Sequence, residues 1–303
     1  MFTRRTMTLA TGAAFALAPA AADAAARAAR ADAFVTVDAT GFRIGGRRHP
    51  VVVANHRWDA EGADGSARRL DALAAMGVTT VRLFDGSGHT QADEASLRRL
   101  DLLLAEMKAR GLRAVIPLAN FWDRSGGTAA YLRWTSGGPR PDPIPYHDHV
   151  RALVGRTSTV TGVAYARDPT IMAWRLADRR RPDAGGSIAP TDLPAYYGWI
   201  RDAADLVRRL APDHLISTGG EGLKACLEQT ICGATTPLRI DYVTAQVWPL
   251  SWSGLNADDV DVAMPEVERL VGDHIARHRA IARRLNRPLV TERFDLPRAL
   301  AAA

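Results

Sequence analysis

The stretch Arg167-Asp168-Pro169-Thr170-Ile171-Met172-Ala173-Trp174-Arg175-Leu176-Ala177-Asp178-Arg179-Arg180-Arg181-Pro182 constrains the fold more than any other. It is a short apolar run, entered through Asp-Pro and left through a burst of charge. A run of that length has too few residues for a typical helix and no polar alternation, so it reads as a strand covered on both faces. Buried parallel strands of this kind deliver polar side chains at their C-terminal ends, where α/β barrels keep their chemistry. Asp178 and Arg179 stand at that end.

The same rhythm recurs along the chain. Phe34-Val35-Thr36-Val37 and Phe42-Arg43-Ile44, closed off by Gly45-Gly46, predict a hairpin leading into a first barrel strand over Val51 to Ala54. A helix over Ser66 to Met76 and a strand over Thr79 to Phe84 come next. Leu97, Leu100, Leu104 and Met107 share a helical face, Gly111 ends that helix, and Ala114 to Asn120 forms the third strand. A helix is expected around His149 to Tyr165, another from Tyr196 to Leu210, and a fifth strand over Asp213 to Thr218. The sixth strand runs Ile240 to Val247. A long helix carrying Val267, Leu270, His274, His278, Ile281 and Leu285 precedes the seventh strand, Pro288 to Asp295.

Laid out this way, the chain resembles the retaining glycoside hydrolases of family five, especially the β-mannanases. The fourth strand follows their D-P-T-I-M-A-W-E-L-A-N-E-P-R pattern. Asn120-Phe121-Trp122-Asp123, with Gly126-Gly127, Tyr131 and Trp134, resembles N-N-W-D-x-x-G-G-x-x-x-Y-x-x-W. Arg156 to Gly162 is similar to R-x-N-x-x-T-G, and His214 to Gly222 to H-L-V-S-T-G-x-E-G. Asp241 to Pro249 resembles D-Y-x-T-x-H-x-W-P, and Pro288 to Asp295 resembles P-x-V-x-E-E-F-G. The fold so implied is a TIM-type (β/α)8 barrel. Seven strand patterns are present where that barrel has eight, so the expectation is a barrel truncated after strand seven, with the edges of strands one and seven left open.

The resemblance also assigns a site, and there this sequence departs from its pattern. The acid/base glutamate falls on Arg179, the Asn before it on Asp178, the nucleophile on Arg293, and a His on Gln246. Retaining glycosidases need two carboxyl groups about 5 Å apart around a cationic transition state. An arginine neither donates a proton at neutral pH nor attacks an anomeric carbon. Arg82 matches the arginine that holds the nucleophile, so Arg82, Arg179 and Arg293 would converge on one cleft. Trp122, Trp248 and Trp252 match positions where aromatic rings stack on sugars. The implied ligand is a mannan-type β-linked polysaccharide, with no cofactor and no metal.

The expectation is therefore an exported relative of endo-1,4-β-mannanases that has lost hydrolysis. Two rivals stand beside it. Asp178 and Glu292, each one residue before a substituted position, take over the chemistry in one; in the other, the basic cleft binds acidic glycans or another anion. For either acid the bland role is pairing with a neighbouring arginine.

Composition bounds the rest. The 303 residues suit one large barrel, and the net charge of +6 comes almost wholly from arginine, lysine occurring only at Lys108 and Lys224. Scattered arginines do not make a nucleic-acid surface. Arg4-Arg5, an Ala-rich apolar stretch and Ala22-Asp23-Ala24 read as a twin-arginine signal peptide over 1–24, followed by a linker over 25–33 and the barrel over 34–303. Its apolar core is too short to anchor the mature chain in a bilayer, so the mature protein is expected in the periplasm or outside the cell. There Cys226 and Cys232 either pair or remain thiols. His147 and His149 around Asp148 read as a solvated helix start, and His274 with His278 as a helix face, in preference to metal ligands.

Overall fold

In a computed structural model the described residues are 33–57, 63–84, 93–119, 146–177, 193–219, 239–247 and 260–294. A small antiparallel sheet opens them: β1 (Val35–Asp38), β2 (Gly41–Ile44) and β3 (Arg47–Arg48), in that order. Seven parallel-type strands follow, with a helix between most neighbours. They are β4 (Val53–Arg57), β5 (Thr80–Phe84), β6 (Arg113–Pro117), β7 (Ile171–Arg175), β8 (Leu215–Ser217), β9 (Val243–Val247) and β10 (Leu289–Phe294). The helices are α1 (Ala63–Ala75), α2 (Glu94–Ala109), α3 (Tyr146–Val154), α4 (Leu193–Leu210) and α5 (Val260–Arg284).

β4 to β8 form one parallel sheet in chain order, and β9 and β10 a second. Sequential parallel order with a helix between most neighbours is the (β/α) barrel architecture. Polar links, in place of backbone ladders, join the arcs on both sides. Asp241, just before β9, donates its N–H to the Ile216 carbonyl (2.9 Å) and accepts the Ile216 N–H on its carboxylate (2.7 Å). On the other side, the Asn55 side-chain amide donates to the Glu292 carbonyl at 3.4 Å. Among the described residues β10 and β4 have no ladder, and this side-chain bond is one link between them.

The core lies in two places. Leu70, Leu100, Leu104, Met107, Trp174, Ile200 and Val207 belong to the layer between strands and helices. Val35, Phe42, Val115, Met172, Leu215, Tyr242 and Val290 fill the barrel floor, where the hairpin acts as a plug. Phe42 meets Tyr242 edge-on with ring centroids 5.5 Å apart. All five residues of β7 are buried, as expected of a strand covered on both faces.

Three boundaries differ from the sequence reading. The first barrel strand lies at Val53–Arg57; Val52 gives its N–H to the Thr79 hydroxyl (2.9 Å) and not to a neighbouring strand, so the ladder begins one residue later. The third ends at Pro117, three residues before Asn120. Helix α3 stops at Val154, and residues 156–165 leave it, first as a loop and then, from Tyr165, as the 3-10 turn Tyr165–Arg167. Asp101 is the reason. This fully buried carboxylate on α2 accepts from Arg156 (2.6 and 3.0 Å), from the Thr159 N–H (3.0 Å) and hydroxyl (2.8 Å), and from the Tyr165 hydroxyl (2.5 Å). Five bonds to one carboxylate outweigh the helical geometry of that segment, and Gly162 reverses the chain at φ 68°. Burial pushes the Asp101 carboxyl up, but the bonds from Arg156, Tyr165 and Thr159 more than offset it and hold it at about 2.

Candidate active site

The barrel interior below the strand C-termini is polar and closed to solvent. Arg82 on β5, Arg175 on β7, Ser217 on β8, Gln246 on β9 and Glu292 on β10 are all buried. Arg175 and Glu292 form an ion pair, Nη1 to Oε2 at 2.6 Å, with side-chain exposures of 0% and 2%. Arg175 also donates from Nη2 to the Gly219 carbonyl at 2.6 Å. Arg82 donates from Nε to the Asn55 side-chain oxygen at 2.6 Å, so Asn55 relays between Arg82 and the β10 backbone. Burial raises the Tyr242 phenol well above its ordinary range, and the nearby Glu292 charge adds to the rise.

Two backbone features hold this pair. The β9–β10 register slips between Thr291 and Arg293: Thr291 faces Ala245, Arg293 faces Gln246, and Glu292 is the extra residue between them. Such a bulge re-aims a side chain, and here it accompanies a Glu292 that is buried while Thr291 is exposed. Gly219 is the second. Its φ of 78° is open to glycine and strained for other residues, and a Cβ there would collide with the Ala177 carbonyl and the Arg175 side chain. The glycine of the S-T-G run is thus the space in which the Arg175 guanidinium lies.

Of the sequence-predicted site residues, the structure brings Arg82, Gln246 and Glu292 into this interior. Arg293 occupies a strand position opposite Gln246. Asp178, Arg179, Trp122, Trp248 and Trp252 lie outside the described residues, as do Cys226 and Cys232. Arg175 was not singled out by the sequence reading. Its signal was nonetheless present: the fourth-strand pattern has Glu at that position, and an arginine within an apolar strand needs a buried anion.

The histidines fall in packing environments. His214, fully buried, accepts from the Trp174 indole on Nδ1 (3.2 Å) and donates from Nε2 to the Asp168 carbonyl (3.0 Å), which fixes the neutral tautomer. Burial lowers its pKa to about 4. The rings of His274 and His278 lie tilted against each other at 51° with centroids 4.2 Å apart, and His278 Nδ1 bonds the His274 carbonyl at 2.8 Å. His147 sits in the first turn of α3. Among the described residues no group of three or more His, Cys, Asp or Glu is arranged to hold a metal ion, and no helix is long and apolar enough to cross a membrane.

Comparison with known proteins agrees with the barrel topology. The model described as "GH family 5 beta-mannosidase-like" matches residues 32–143 and 142–302. The putative mannan endo-1,4-beta-mannosidase 9 of Oryza sativa subsp. japonica is 27% identical over 297 residues, 86% of this chain and 70% of its own. Mannan endo-1,4-beta-mannosidase 3 of the same plant is 32% identical over 220 residues, 62% of this chain and 45% of its own. Several curated relatives are thus matched over only about half of their length. Among solved structures, the glycoside hydrolase family 5 mannosidase from Rhizomucor miehei superposes with a TM-score of 0.69 at 23% identity, over 86% of this chain and 73% of that one, a likeness of fold.

Proposed function

Because the chain belongs to the β-mannosidase-like group of glycoside hydrolase family 5, we propose that it is an exported β-mannan-recognising protein that has lost glycoside hydrolysis. One observation carries the reading. The family pattern assigns the nucleophile position to Arg293, and the acid beside it on the seventh strand, Glu292, is held by Arg175 at 2.6 Å inside the barrel. A retaining mechanism needs a free carboxylate at the anomeric carbon and a second about 5 Å away. Glu292 is turned to a guanidinium and closed from solvent, which weighs against its replacing the nucleophile. The family pattern puts Arg179 at the other catalytic position, where an arginine would oppose a cationic transition state.

Recognition of the glycan is assigned to the tryptophans of the βα loops, Trp122, Trp248 and Trp252, by the family pattern they match. The relatives named as mannan endo-1,4-beta-mannosidases support a mannan-type ligand. The leader with Arg4-Arg5 supports export through a folded-protein route.

The test uses the purified chain with soluble mannan. Migration in native gels should be retarded by mannan, less so for Trp122→Ala, while reducing-sugar release stays at the level of buffer. Reducing-sugar release that is abolished by Asp178→Asn would establish an active enzyme and overturn the loss of hydrolysis. Absence of any retardation would overturn the recognition.

A further inference from the structure

A second concave site lies at the opposite end of the barrel from the mouth. It is a cavity of about 600 Å³ bounded by the β1–β2 turn, β3 and the approach to β4, the C-terminal half of α5, and the start of β10. Its polar lining is one-sided. Arg48 comes from the hairpin, Arg279 and Arg283 from one face of α5, Arg287 from the turn after it, with His49 and Thr291 between them. The described lining contains no Asp or Glu.

Arginines without a carboxylate among the described residues occur singly elsewhere, as at Arg47, Arg68 and Arg284; what sets this cavity apart is that four of them line one space. Arg43, Arg110, Arg156, Arg175, Arg208 and Arg269 each meet a carboxylate. Among the described residues, none of the four cavity arginines does. Arg283 falls in the last turn of α5, where the helix dipole alone favours a cation. Arg48 and Arg287 belong to other elements, so the dipole does not account for the convergence. His49 Nε2 is enclosed without a hydrogen-bond partner, and burial, helped by the Arg113 charge, holds the ring below its usual pKa. A neutral imidazole can give one bond to an anion without an added charge to offset.

We infer that this cavity is a binding site for a small polyanion carrying two or more phosphate or sulfate groups. The volume lies in the range of small-molecule pockets and exceeds what a single oxyanion fills. Guanidinium forks bind tetrahedral oxyanions in bidentate fashion, and four from three elements can serve at least two such groups. The exposed Thr291 hydroxyl is a further donor at the rim.

Calorimetric titration of the full chain at fixed ionic strength tests this, with tripolyphosphate and a sulfated disaccharide as the two probes. The expected result is one site per chain for at least one probe, weakened about tenfold or more by Arg279→Gln with Arg283→Gln. Preference between the probes identifies phosphate or sulfate as the natural chemistry. Arg269→Gln, an α5 arginine paired with Glu266 and Asp273, should leave the affinity unchanged, and mannan retardation should persist in the double variant. No binding of either probe, or an equal loss in Arg269→Gln, overturns the site. So does a signal lost in Arg179→Gln and kept in the double variant, which would locate the anion at the mouth.

Discussion

Glu292 and Arg175 lie 2.6 Å apart across the inside of the barrel, from its seventh and fourth strands, and neither side chain is open to solvent. Two charges taken out of water need each other, and the desolvation cost of either is stranded when its partner is removed. Glu292→Gln should therefore cost about 3–5 kcal/mol of stability. The double change Arg175→Met with Glu292→Leu should recover most of that loss. Urea unfolding followed by circular dichroism measures both, and an unchanged midpoint in Glu292→Gln would show that the pair is not the closed one described here.

Gly219 makes room for the same guanidinium. Replacing it by alanine forces a side chain into positive φ and against Arg175 and the Ala177 carbonyl. Positive φ alone costs about 1–2 kcal/mol, and the collision adds to it. Gly219→Ala should lower the melting temperature more than Gly198→Ala on α4, where the nearest atom to a new Cβ is a flexible Arg201 side chain at 3.8 Å.

His214 makes stability depend on pH. Its pKa falls from 6.5 when unfolded to about 4 when folded, because burial disfavours the charged ring. Above pH 6.5 the ring is neutral in both states and contributes nothing to the pH dependence. As pH falls from 6.5 toward 4, the unfolded chain takes up the proton first, and stability drops by up to about 3 kcal/mol. Denaturant titrations at pH 7 and pH 4.5, compared with His214→Gln, should show the difference between the two pH values shrink in the variant.

Asp101 holds the 156–165 loop. Asp101→Asn removes the charge facing the nearly buried Arg156, whose remaining anion, Glu94, is exposed. A loss of about 3 kcal/mol is expected, with faster amide exchange at Thr159 than at Leu104. Equal exchange rates would show that the loop is held by other contacts.

Restoring the carboxylates alone should not restore an enzyme. Arg179→Glu with Arg293→Glu rebuilds both family positions, yet Gln246 still faces position 293 and Arg175 still holds the adjoining residue. Catalytic groups need placement to about 0.5 Å by their supporting contacts. Activity on mannan should stay within about tenfold of background, as read by reducing-sugar release. A large gain from these two changes would show the scaffold to be competent already.

The kind and order of most elements were legible in the sequence, though three of their boundaries were not. The apolar run at Ile171 to Arg175 had to be a doubly covered strand, the hydrophobic faces of α2 and α5 had to be helices, and the order of motifs pointed to the barrel. The resemblance assigns Arg179 and Arg293 to the catalytic positions by alignment along their strands alone, and that assignment belongs to the proposal. Where the charges ended up was a matter for the tertiary structure. Arg175 and Glu292 are far apart in the chain, and nothing local couples them; they pair because the fourth and seventh strands face one another and a bulge accompanies the inward placement of Glu292. The loop at 156–165 departed from helix for the same kind of reason. Its dihedral preferences are local, but the buried Asp101 that overrides them sits on α2, and burial makes each of those bonds costly to leave unmade.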